Sequence, residues 1–321
     1  MTLFAASLQA LAPLFILILL GYGLKRARML HPAHVPVLNG MVLNVTMPAL
    51  VLHGLAHATH LQISDSKPII AMLVTEAVIL IIGYALSCLL RFSRPVTGGI
   101  LMTSAFGNTG FLGYPITLAL MAKQFPLAIL VDQFSMSVPL YITGAFIGAA
   151  FGTNREGGAT QRQMIGRFFR SPLFFSVVLG VLVHAVKVPS MVLSEAWVDS
   201  LGRIVDRCLE LLGQGTIPIV LLAFGVALRA GAARRNALAS GIAACLKLLA
   251  IPTVLWAVCT LLQVPEDMRR ETVLLGAMPT SVMCSVLCGQ NDLEGDMAVG
   301  IVFITTVFSA ATIPLMLELL R

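Results

Sequence analysis

Between Thr103 and Pro115 the chain carries Gly107, Asn108, Thr109, Gly110, Gly113 and Pro115 in the middle of an apolar run long enough to cross a bilayer. Glycine weakens a helix, and proline removes one backbone hydrogen bond and clashes with the preceding turn. Unpaired backbone in lipid costs several kcal/mol per group, so such a break survives only when buried in protein or lining a wet cavity. The remaining helices must therefore wrap it. Asn108 and Thr109, at the break, are placed either to cap a half-helix or to hold a ligand.

The rest of the chain has the composition of such a wrapping. It is 58% hydrophobic and 11% charged, with a mean hydropathy of +0.92, where a soluble domain carries roughly 25% charged residues. At about 20 residues per span, the length leaves room for about ten transmembrane helices, and the fold class is an all-α polytopic membrane protein in a lipid bilayer. The net charge of +6 comes without a basic cluster interleaved with aromatics, so no nucleic-acid partner is expected. None of the six cysteines forms a CxxC pair, which points to apolar packing rather than a metal centre. The first apolar run ends in Lys25, Arg26 and Arg28, the reverse of a signal peptide's charge order.

The two halves of the chain match in order. Pro13, Leu14 and Phe15 correspond to Pro172, Leu173 and Phe174; Val138 to Leu140 correspond to Ile313 to Leu315. Thr46, Met47 and Pro48 return 170 residues later as Thr216, Ile217 and Pro218, and at the same offset Gly107–Thr109 falls on Ala277–Pro279. This divides the chain into a first five-helix repeat (1–151), a cytoplasmic linker (152–171) and a second repeat (172–321). Five is odd, so the second copy inserts upside down, and spans four and nine are the broken helices. Inverted repeats with breaks in matching positions are a signature of secondary transporters. With the amino terminus outside, 12 Lys and Arg fall in cytoplasmic loops and 8 on the other side. The expected location is a bacterial inner membrane with a periplasmic amino terminus.

On these residues the chain resembles the auxin efflux carrier family, which includes plant auxin exporters and bacterial carriers of malonate and malate. The resemblance is carried by the Gly107–Gly110 break with Gly113 and Pro115, by Asn44 to Pro48, and by Gly276 to Thr280. The family is similar in fold to the bile-acid sodium symporters. The resemblance implies spans four and nine crossing at mid-membrane. It implies a scaffold of spans one, two, six and seven, a transport domain of spans three to five and eight to ten, elevator-like motion, and a homodimer. It also implies a span-five Gln near the substrate, the position of Gln133.

Two half-helix amino termini meeting in the membrane present free N–H groups and partial positive charge, a ready anion site. The candidate substrate contacts are Gly107, Asn108, Thr109 and Gly110 on one side and Pro279, Thr280 and Ser281 on the other. Each side chain there either touches ligand or caps its own half-helix. Asn44 either faces the path or makes an interhelical hydrogen bond. Glu76 and Lys247 are the charges deepest in apolar spans, and such charges are functional by default. The repeat offset puts Glu76 opposite Leu246, so Glu76 and Lys247 either pair or flank the substrate, or Glu76 carries a proton. Asp132 carries a coupling cation or is a solvated acid at a helix end. His53, His57 and His60 share a helix face by spacing and could bind metal, but without an acidic or fourth ligand no metal site is expected.

The expected function is a non-enzymatic secondary carrier of small organic anions such as malonate or malate, with H+ or Na+ as coupling ion and no cofactor. The runner-up is an exporter of aromatic or amino-acid-like carboxylates. An intramembrane enzyme would need paired acids, for which only Glu76 and Asp132 lie deep enough. A receptor would need an output domain larger than the 152–171 linker.

Overall fold

A computed structural model describes residues 3–58, 66–153, 163, 165–166, 168–186, 196–228 and 236–319. His60, singled out above, lies outside the described residues, as does much of the 152–171 linker.

Apart from one two-residue bridge, every regular element among the described residues is helical. In chain order these are α1 (Leu3–Arg26), α2 (Val35–Met41), α3 (Met47–Ala56), α4 (Ser66–Leu89), α5 (Arg94–Ala105), α6 (Tyr114–Leu120), α7 (Phe125–Val131) and α8 (Val138–Phe151). Then follow α9 (Pro172–Val186), α10 (Ala196–Gln214), α11 (Thr216–Ala227), α12 (Ala237–Cys245), α13 (Ile251–Leu261), α14 (Glu266–Gly276), α15 (Val282–Gln290) and α16 (Gly295–Leu319). Among the described residues six helical stretches are long and apolar enough to cross a membrane: Pro32–Ala56, Ser66–Leu89, Ala122–Phe151, Leu201–Ala227, Ala237–Leu261 and Gly295–Glu318. Thr109–Leu120 and Pro172–Ala185 are shorter apolar helices. Large apolar side chains such as Leu19, Ile81, Phe146 and Leu261 face outward, as a lipid-facing surface requires.

Four of the long stretches or half-spans contain a wide π-helical turn: Val42–Thr46, Thr109–Gly113, Asp132–Ser137 and Leu246–Ala250. Each ends two residues before a proline, namely Pro48, Pro115, Pro139 and Pro252. The cause is local. Proline has no N–H to give and its ring collides with the carbonyl of the preceding turn. Widening that turn relieves the collision without ending the helix, and such bulges collect at functional sites.

The chain forms two compact units of discontinuous segments: 1–15, 63–166 and 228–321 in one, 16–62 and 167–227 in the other. In the first, α5, α12 and α16 pack through Val96, Ile100, Ala239, Ala243, Met297 and Ile301. Ile79 of α4 closes on Leu246 and Ile251. In the second, α3 packs on α9 and α10. There α1 and α11 cross at backbone contact, because a Cβ on Gly225 would fall 2.0 Å from the Ile18 carbonyl oxygen. Small residues at such crossings substitute close packing for a hydrophobic drive that lipid does not provide.

Candidate functional site

In the first unit, α5 ends at Ala105 and the chain turns extended at Phe106, with φ −100° and ψ 124°. Helix resumes at the Thr109–Gly113 π turn and continues as α6. The second interrupted helix does the same: α14 ends at Gly276, and α15 restarts after an extended Ser281. Each break frees backbone groups that lipid could not satisfy, and the two breaks satisfy each other. The Asn108 N–H donates to the Pro279 carbonyl at 2.7 Å and the Ser281 N–H donates to the Phe106 carbonyl at 3.1 Å. Gly107 and Thr280 thereby pair as a short antiparallel bridge.

The expected site residues divide around this bridge. The Thr280 hydroxyl donates to the Thr103 carbonyl in the last turn of α5 at 2.7 Å, and the Thr280 N–H donates to Thr305 Oγ1 at 3.1 Å. Ser281 caps its own half-helix, its hydroxyl accepting from the Met283 N–H at 3.3 Å. Asn108 differs. It makes no cap with its side chain, is 4% exposed, and its amide Nδ2 finds no partner among the described residues. A buried donor without an acceptor is costly, so Asn108 is held there by its surroundings.

Behind Asn108 lies a carboxylate with three donors. Thr109 Oγ1 donates a short hydrogen bond to Asp132 Oδ1, and Tyr114 Oη and Gln133 Nε2 each donate to Oδ2 at 2.8 Å. Asp132 is therefore buried on its π turn, and the alternative of a solvated helix-end acid falls away. Gln133 is fully buried and its Oε1 has no partner among the described residues. A Cβ on Gly110 would sit 3.7 Å from Asp132 Oδ2, so the backbone passes close to the acid.

Lys247, also fully buried, donates from Nζ to the Gly276 carbonyl at 3.0 Å. A cation at the carboxyl end of α14 complements that helix's dipole and satisfies one of its orphan carbonyls. The same ammonium lies against Gly107, where a Cβ would fall 3.0 Å from Nζ. Glu76 is 3% exposed. Glu76 Oε1 has no partner among the described residues.

Asn44 belongs to the other unit, where its Nδ2 donates to the Gly40 carbonyl of its own helix at 2.8 Å. Two residues escaped the sequence reading. Tyr114 was hidden by its aromatic, apolar context. Glu271 was hidden in the charged run from Glu266, which reads as a turn yet forms the first turns of α14. Glu271 is fully buried and accepts the Thr117 hydroxyl at 2.6 Å. Its spacing from Leu274 and Leu275, one helical face, was the available signal.

The sequence matches the family described as "Membrane transport protein" over residues 6–156 and 158–317. The chain belongs to that family, the auxin efflux carriers. With its apolar helices this makes it a multi-pass membrane protein of a transporter family. It is 25% identical over 315 residues to an uncharacterized transporter of Methanothermobacter thermautotrophicus, covering 98% of each chain. It is 23% identical over 309 residues to an uncharacterized transporter of Methanocaldococcus jannaschii, covering 94% of each. A Rhizobium meliloti protein named "Putative malonate transporter" is 24% identical over 315 residues, covering 96% of this chain and 94% of that one.

Proposed function

We propose that this family member is a secondary active carrier of small organic anions of the malonate or malate type. In this reading ten membrane helices form two inverted repeats, the amino terminus is periplasmic in a bacterial inner membrane, and the unit bearing the crossing moves in an elevator-type cycle. The observation that carries the proposal is the buried side-chain amide of Asn108, whose Nδ2 has no partner among the described residues, at the meeting of two helix interruptions. A carboxylate guest would accept from Asn108 Nδ2 and lie near the amino end of the Thr109–Gly113 turn. Neutral donors suit a substrate that must also leave, because they offer recognition without a fixed ion pair. The name of the Rhizobium meliloti relative supports malonate as the first substrate to try.

The coupling ion is a proton or a sodium ion. Asp132 and Glu76 are the acids of this unit nearest in kind to that task, one held by three donors and the other with a free oxygen. Uptake of labelled malonate by proteoliposomes, under an imposed sodium or proton gradient, tests the proposal. Accumulation above protein-free vesicles is expected with one gradient and not the other. No uptake of malonate or malate under either gradient would end it. Glu76→Gln flattens the pH dependence of uptake if Glu76 carries the proton; a parallel profile removes Glu76 from that role.

A further inference from the structure

His53, near the end of α3, and His57, which caps it, are one helical turn apart, with ring centroids 4.4 Å from each other. The sequence around them offers no acid, but the packing of α10 on α3 does. Asp206 of α10 reaches both rings: its Oδ1 is 3.0 Å from His53 Nδ1 and its Oδ2 is 3.6 Å from His57 Nε2. The three ligand atoms lie within 4.8 Å of one another. Metal–ligand bonds of about 2.0–2.2 Å put neighbouring tetrahedral ligand atoms about 3.3 Å apart; each imidazole has one Asp206 oxygen near that separation, and a small rotation of the carboxylate turns a single oxygen toward an ion between the rings.

We infer that His53, His57 and Asp206 form a binding site for a divalent transition cation of the zinc type. The second layer of contacts fits as well. His57 Nδ1 lies 3.0 Å from the His53 carbonyl oxygen. With its proton on Nδ1, the ring donates there and leaves Nε2 bare for the ion, the arrangement that orients metal-binding imidazoles. On His53 the ion takes Nδ1 and the ring's single proton sits on Nε2. The His57 side chain is 57% exposed, so it can swing to close the remaining gap and solvent can fill a fourth position. Two imidazoles with one carboxylate favour zinc-like ions, whereas magnesium and calcium seek all-oxygen sets. Arg207, the next residue along α10, is engaged elsewhere, donating to Glu210 at 2.6 Å. A bound ion would clamp α3 to α10 within this unit, whatever the substrate of the carrier.

The test uses the full-length protein in detergent with any purification tag cleaved off. Equilibrium dialysis against Zn2+ followed by elemental analysis is expected to give one ion per chain, and Zn2+ but not Mg2+ is expected to raise the unfolding temperature. His53→Ala and Asp206→Asn are each expected to weaken binding at least about 10-fold. Asp206→Asn is nearly isosteric and keeps a hydrogen-bonding group against His53, so it reports on the site even if His53→Ala folds poorly. No stoichiometric zinc in the wild-type protein would overturn the inference. So would zinc retained in both variants, which would assign it to ligands elsewhere.

Discussion

The two interrupted helices meet at one bridge, yet they use their side chains differently. At the second break Thr280 is committed to Thr103 and Thr305, and Ser281 to the first turn of α15. At the first break Thr109 is committed to Asp132, while Asn108 keeps a buried side-chain Nδ2 without a partner among the described residues. The crossing therefore has an interrupted backbone on both sides but the open donor on one. Under the proposed function the second break is the buttress of the crossing and the first its reader. A site built this way separates stability from recognition, and substitutions on the two sides should fail in different ways.

The largest effect is expected where the reader is held in place. Asp132→Ala removes the acceptor of three buried donors, each worth about 1–3 kcal/mol when left unsatisfied. A fall of roughly 3 kcal/mol or more in stability should appear as a large drop in unfolding temperature in detergent. An unshifted transition would mean that the acid does not hold the break. Asn108→Ala comes next. Loss of one hydrogen bond to a charged guest is worth about 1.5–3 kcal/mol, so dicarboxylate affinity should fall roughly 10- to 100-fold with the unfolding temperature unchanged. Thr280→Val should do the reverse. It orphans the Thr103 carbonyl at a cost of about 1–3 kcal/mol and leaves affinity intact in the folded fraction. The smallest effect belongs to Ser281→Ala, about 1 kcal/mol for a lost helix cap, read as a modest fall in unfolding temperature. If Thr280→Val or Ser281→Ala weakened binding as much as Asn108→Ala, the division between buttress and reader would dissolve.

The break itself was legible because three glycines and a proline inside an apolar run of membrane length leave few physical options. The match of Gly107–Thr109 with Ala277–Pro279 located the second break for the same reason. The π turns were not legible. Sequence announces that Pro48, Pro115, Pro139 and Pro252 disturb a helix, but not whether the helix ends, kinks or widens. The widened turns turn out to carry Asn44, Thr109, Gly110, Asp132, Gln133 and Lys247, which ties the expected polar residues to one backbone device. Partners distant in the chain were equally hidden. No local pattern says that Thr280 will serve Thr103 across 177 positions or that Asp206 will meet His53 across 153. Lys247 was legible as an unusual charge but not as the cation closing the carboxyl end of α14, because that role depends on which helix end lies beside it.

Isothermal titration of the purified carrier with malonate and malate, run side by side on wild type, Asn108→Ala and Ser281→Ala, addresses the central claim most directly. Binding to wild type and Ser281→Ala is expected, with a loss of roughly 10- to 100-fold for Asn108→Ala at unchanged thermal stability. Equal affinity in all three proteins would contradict it.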